Sequence, residues 1–325
     1  MITSKGYDFD DILLVPKTTD IDSRDEVDLS VQLPNHSSLA FPIFASPMKG
    51  IVGLNFIKEF NRLGGLGILH RFYNDPVIRA TDILSLRDDG YEFGVAVGLD
   101  DQDIYKFALD NGAAIICVDV ANGYTFRLHR ICDELKNYII NNNYSALLMA
   151  GNVVTPQGVE SLVNCGVTFI RVGIGSGKLC TTRNNTGVGY PQLTAIHECA
   201  NSITGGVYLI ADGGIRNSGD AVKALASGAD FIMIGSLFSR TFESDNNGSI
   251  YGMASRKLQE EHYGIVKSVE GIELESKKDT SLLDFLTEFV QNMKSGFAYL
   301  NARNIEDLWA NSTFVEVNKG TIKEI

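Results

Sequence analysis

Short apolar runs recur along this chain, and most are followed by a stretch with helical spacing of its apolar positions. The runs are FPIFA (41–45), LGIL (66–69), FGVAV (93–97), AIICV (114–118), ALLMA (146–150), TFIRV (168–172), VYLIA (207–211) and DFIMI (230–234). Runs of four or five residues without polar alternation suit strands covered on both faces, as parallel strands are. Between them lie amphipathic patterns: FIKEFNRL (56–63), DIYKFAL (103–109), TFRLHRICDELKNYI (125–139) and SGDAVKALAS (218–227). Eight such units predict an α/β fold, a (β/α)₈ TIM barrel in a single domain over 1–325, in preference to an open doubly wound sheet. A polar, glycine-containing stretch follows the last unit, SDNNGS (244–249), and ESKKDTS (275–281) precedes the amphipathic pattern LLDFLTEFVQNM (282–293). These predict a flap over about 244–280 and a C-terminal helix packed outside the barrel.

Composition narrows the function classes. At 325 residues the chain is long for one domain, yet barrels of this size are ordinary. Its net charge of −12 disfavours nucleic acid and anionic membrane surfaces as partners. No apolar run approaches the ~18 residues of a spanning helix, and MITSKGYDFDD lacks the pattern of a signal peptide. Five scattered cysteines (Cys117, Cys132, Cys165, Cys180, Cys199) form no disulfide framework. Together these predict a cytoplasmic protein.

In a barrel the chemistry gathers just past the C-terminal ends of the strands. Those positions here read SPM (46–48), HR (70–71), VG (97–98), DVANGY (119–124), GN (151–152), GIGSGKLCTTR (173–183), DGG (212–214) and GS (235–236). Asp212-Gly213-Gly214 and Gly235-Ser236 follow strands seven and eight, where barrels commonly hold a phosphate. Tight βα turns would also explain these glycines. Asp212, an anion itself, suits a sugar hydroxyl better than a phosphate. Gly173, Gly175 and Gly177 form a loop able to converge on an ion or ligand, and Cys180 follows it among polar neighbours. Buried, inert cysteine is the default for the type, and Cys117 and Cys199 fit it. Cys180 does not, which marks it as a candidate nucleophile. His70 ends strand two, where a packed rim residue is favoured over an acid or base. His129, His197 and His262 show no metal-ligand spacing. The 173–177 glycines are not a dinucleotide fingerprint, since none opens a helix with an acid some twenty residues on.

GIGSGKLCTTR (173–183), ADGGIRNSGDAVKALASGADFIMIGSLF (211–238) and YGM (251–253) resemble the IMP dehydrogenase/GMP reductase family. So do YDFDDILLVPK (7–17), SRDEVDLSVQL (23–33) and ASPM (45–48). The paired CBS modules that dehydrogenases usually carry after strand two are missing, since 71–93 runs directly into strand three. TGVGYPQL (186–193) and DVANGY (119–124) resemble the reductase branch, whereas ADGGIR and GSLF are shared with the dehydrogenases. The dehydrogenase flap carries an Arg-Tyr pair that activates water; this flap has His262-Tyr263 instead. The resemblance therefore implies NADPH-dependent reductive deamination of GMP to IMP and ammonia, with oxidation of IMP to XMP as the alternative.

It further implies roles. Cys180 attacks the purine, while Thr182 and Glu270 handle protons. Ser176, Gly213, Gly214, Gly235, Ser236 and Tyr251 hold the phosphate end, and Asp212 the ribose. Met48, Gly252, Met253 and the segment 267–271, including Lys267 and Gly271, surround the base. Asp119, Val120, Ala121, Ile174 and Gly175 face the cofactor, and Ser23 and Arg24 reach a neighbour's cofactor in a homotetramer. Carbonyls of Gly175, Gly177, Cys180 and Arg183 hold potassium.

Overall fold

The computed structural model describes residues 5–203 and 205–317. Residues 1–4, 204 and 318–325, which the domain expectation includes, lie outside the described residues. Eight parallel strands close into a barrel: β1 (Ile43–Ala45), β2 (Leu66–Leu69), β3 (Gly94–Val97), β4 (Ile115–Asp119), β5 (Leu147–Val153), β6 (Phe169–Val172), β7 (Tyr208–Asp212) and β8 (Phe231–Ile234). Closure runs through β8, where Ile232 pairs with Ile43 and Ile234 with Ala45. Each predicted run overlaps one of these strands, and three strands extend past the C-terminal end of their run. Asp119, Gly151, Asn152 and Asp212, expected just past strand ends, are their last or nearly last residues.

Side chains fill the barrel, so it is a packed core rather than a pore. Phe44 from β1 lies 5.6 Å from the ring of Phe169 and 5.0 Å from that of Phe231, all three fully buried. Leu33 and Leu39, on a short antiparallel ribbon (Val31–Gln32 with Ser38–Leu39), plug the N-terminal end. That leaves the C-terminal end as the open mouth.

The helices are α1 (Leu54–Arg62), α2 (Pro76–Asp88), α3 (Gln102–Asp110), α4 (Phe126–Asn141), α5 (Pro156–Asn164), α6 (Thr182–Thr186), α7 (Gln192–Ala200) and α8 (Ser218–Ala226). Several begin on a side chain that accepts a backbone N–H of the first turn: Asp75, Thr125, Thr155 and Asn217. After β8 the expected flap is a folded segment. Its strands β9 (Ser249–Tyr251) and β10 (Glu273–Glu275) pair antiparallel around helix α9 (Arg256–Tyr263). The C-terminal helix α10 (Leu282–Tyr299) packs against α8 outside the barrel, as expected, and α11 (Ile305–Asn311) follows. Among the described residues no helix is long and apolar enough to cross a membrane.

Candidate active site

The mouth of the barrel holds a cavity of about 350 Å³ between the strand tips and the flap. It gathers most of the residues singled out from sequence. Cys180, Thr182, Glu270, Met48, Ser176, Asp212, Gly213, Gly214, Gly235, Ser236, Gly252 and Met253 line it. Asp119, Val120, Ala121, Ile174, Gly175 and Gly177 line it too. Gly213 and Gly214 sit at φ 93° and 81°, a left-handed conformation glycine adopts without strain, so bare backbone forms that wall. A Cβ at Gly235 would come within 2.2 Å of the Met48 sulfur.

The reactive corner is built by the flap lying across the β6 loop. Gly271 bridges to Cys180 on one side and to Ser255 on the other. The Ile272 N–H donates to the Leu179 carbonyl, and the Thr181 N–H to that of Glu270, at 3.0 and 2.9 Å. This pinning brings Glu270 to the cysteine loop. Thr182 Oγ1 donates to Glu270 Oε2 at 2.8 Å and lies 3.1 Å from Cys180 Sγ. Since the threonine proton points at the carboxylate, its oxygen is free to accept from S–H. A thiol, a hydroxyl and a carboxylate thus stand in one proton-transfer line. The other four cysteines are buried; burial pushes Cys117, Cys132 and Cys199 up to about 12 and raises Cys165 as well. Cys180 is the half-buried one.

A second wall is ionic. Arg171 of β6 points into the mouth, 2.6 Å from Asp119 Oδ1 and 2.8 Å from Asp212 Oδ2. Asn152 also donates to Asp212 Oδ2, at 2.8 Å. Burial acts to raise the Asp119 carboxyl, but the guanidiniums of Arg171 and Arg71 outweigh it and hold it below the usual carboxylate range. Sequence reasoning missed Arg171 although a signal was present. A charge inside an otherwise apolar, doubly covered strand must be paired with something. Arg71 and Asn152 also line the cavity; the sequence placed both just past strand ends without giving either a role.

Some expected site residues stand elsewhere. Tyr251 lines a separate cavity, with Lys49, Gly50 and His70. Lys267 is exposed outside the lining, its N–H donating to Gln259. Gly271 anchors the flap rather than facing the cavity. Ser23 caps an exposed 3₁₀ turn that carries Arg24, away from this chain's own cavity. The Gly177 and Arg183 carbonyls already accept the N–H groups of Cys180 and Gly187. Each keeps a second lone pair. His70 is buried against Tyr73, with rings 4.5 Å apart, and burial lowers its pKa to about 3.

Residues 6–325 match the description "IMP dehydrogenase / GMP reductase domain". The chain belongs to this family. Its members are oxidoreductases acting on purine mononucleotides with a nicotinamide cofactor. Similar proteins within it carry both names. A GMP reductase of Onchocerca volvulus is 33% identical, with 97% of this chain and 92% of that protein covered. An inosine-5'-monophosphate dehydrogenase of Borreliella burgdorferi is 32% identical, covering 99% and 96%. Another, of Cryptosporidium parvum, is 30% identical, covering 98% and 94%. These dehydrogenases align along nearly their whole length, so the missing insertion after β2 does not by itself separate the branches.

Proposed function

We propose that this chain is a GMP reductase, reducing GMP to IMP and ammonia with NADPH through a covalent bond to Cys180. The observation that carries the reading is the line Cys180 Sγ, Thr182 Oγ1, Glu270 Oε2, spaced 3.1 and 2.8 Å. Along it the thiol proton can pass through the hydroxyl to the carboxylate, leaving the thiolate that nucleophilic attack requires. Sulfur then bonds to C2 of the purine. The C2–N bond breaks, and its electron pair leaves on nitrogen as ammonia, which takes a proton returned by Glu270 through Thr182. When bound, a nicotinamide dinucleotide would supply the hydride for C2; Cys180 would then leave C2 with the electron pair of the C–S bond, restoring its thiolate.

The chain's residues fit both ligands. Gly214, Gly235 and Ser236 offer a wall without bulk for the phosphate, and Asp212 keeps Oδ1 for ribose hydroxyls. Asp119, Val120, Ala121, Ile174 and Gly175 form the side open to the cofactor. There the buried Arg71 Nε faces Asp119 Oδ2 at 3.6 Å. NADPH, a homotetramer sharing Ser23 and Arg24 between subunits, and potassium on the carbonyls of Gly175, Gly177, Cys180 and Arg183 complete the proposal.

One feature favours reductase over dehydrogenase: between Met253 and Glu270 no Arg-Tyr neighbours occur in the sequence. One observation favours the dehydrogenase: Arg71 Nη1 donates to Tyr263 at 3.0 Å, an arginine–tyrosine pair assembled in space. Tyr263 lies outside the cavity lining. Purified protein given GMP with NADPH should consume one reduced cofactor per IMP formed, followed by absorbance and chromatography. Continuous XMP production from IMP and NAD at a rivalling rate would overturn the reading.

A further inference from the structure

The motif YDFDD (7–11) matches the family, yet none of its residues lines the cavity. It forms a 3₁₀ turn, Phe9–Asp11, fixed to the outside of the barrel. Arg216 Nη1 donates to Asp10 at 2.6 Å, and Lys223 of α8 donates to the Phe9 carbonyl at 2.8 Å. Asp8 projects from this post to the reactive loop. Its Oδ2 accepts from Arg183 Nη1 at 2.9 Å and its Oδ1 from Nη2 at 3.3 Å. Asp8 Oδ1 also takes the Gln192 N–H at 2.6 Å, and the Gln192 side chain donates to the Val172 carbonyl at 2.8 Å.

Arg183 follows Thr182 directly in α6. Its stem is confined between two glycines: a Cβ at Gly175 or Gly189 would come within 2.5 or 2.6 Å of its Cγ. Nη2 also donates to the Tyr190 carbonyl, and Nε is buried without a partner. The arginine therefore joins the glycine loop, the 187–191 segment and the N-terminal turn at one point, next to the residues that face sulfur. With side chains 40% and 34% exposed, the Asp8–Arg183 pair adds little to global stability. Its fork geometry, however, fixes direction as well as distance.

We propose that Asp8 is a positioning residue, acting through Arg183 to hold the Cys180–Thr182 segment in register with Glu270. This deepens the reading of Cys180 as nucleophile and rests on it. The test compares Asp8→Asn, Asp8→Ala, Arg183→Lys, Arg183→Ala and the double alanine variant. Steady-state GMP reduction is measured beside the rate and pH profile of iodoacetamide alkylation at Cys180, with Cys180→Ala as blank. Misplacement by about 1 Å costs on the order of 100-fold in rate. The alanine variants should therefore lose ~10–100-fold in kcat while KM for GMP stays nearly constant. Alkylation of Cys180 should change in rate and pH profile, and Asp8→Asn and Arg183→Lys should fall between wild type and alanine. The double variant should lose less than the product of the two single losses, because the contact between Asp8 and Arg183 is common to both while each also holds a partner of its own, Gln192 and Tyr190.

Unchanged kcat and alkylation would overturn the proposal. So would losses that multiply in the double variant, or that merely track the unfolded fraction in thermal melts. If wild-type protein reduces no GMP, the functional reading fails, and the alkylation series alone still decides the positioning role.

Discussion

At Cys180 the environment rather than the residue type makes the chemistry. Burial raises the pKa of the other four cysteines, whereas Cys180 lies half-buried beside a hydroxyl already committed to a carboxylate. Glu270→Gln keeps the size of that carboxylate and removes its basicity. It should slow GMP reduction about 10²–10⁴-fold with GMP affinity little changed, checked by steady-state kinetics and equilibrium titration. Loss of GMP binding with turnover preserved would instead make Glu270 a base-recognition residue. Cys180 was legible in the sequence because polar neighbours after a glycine loop are an unusual setting for cysteine. Its partnership with Glu270 was not legible from spacing. Thr182 and Glu270 are 88 residues apart, and only the family resemblance joined them before the flap could be seen lying on the loop.

At the scale of strands and helices, the eight barrel strands were readable because each is covered on both faces. Their ends were not, since Asp119, Asn152 and Asp212 are polar residues in strand conformation where the barrel meets its cavity. Helices α2, α5, α6, α7, α9 and α11 fell outside the amphipathic patterns singled out. For two of them the Asp75-Pro76 and Thr155-Pro156 pairs were available start signals. Arg171 is the instructive omission, an ion inside β6 that holds two carboxylates from β4 and β7. Arg171→Met removes the shared cation and leaves Asp119 and Asp212 facing each other with too little compensation. Breaking a buried pair from one side costs about 3–5 kcal/mol, which denaturant unfolding should register. A loss under about 1 kcal/mol would mean that the carboxylates are solvated rather than dependent on the arginine.

Across the whole molecule, stability should depend on pH partly through a group far from the mouth. Burial raises the Asp230 carboxyl to about 6, even though it accepts the Leu209 N–H at 2.7 Å. A folded-state pKa above the unfolded value of about 3.9 means that the favourable contribution is complete below pH ~4 and is lost as pH rises through ~6. Asp230→Asn keeps an acceptor and abolishes the titration. Between pH 4 and 7 its stability relative to wild type should therefore rise by on the order of 2 kcal/mol in urea unfolding; a flat difference would refute the assignment. The central claim concerns chemistry at one sulfur, and peptide mass spectrometry of acid-quenched protein during turnover of GMP with NADPH tests it most directly. The account expects the purine nucleotide, less ammonia, bound to the peptide containing Cys180 and absent from Cys180→Ala, which should still bind GMP. A variant that turns over GMP without Cys180, or nucleotide attached at any other cysteine, would contradict it.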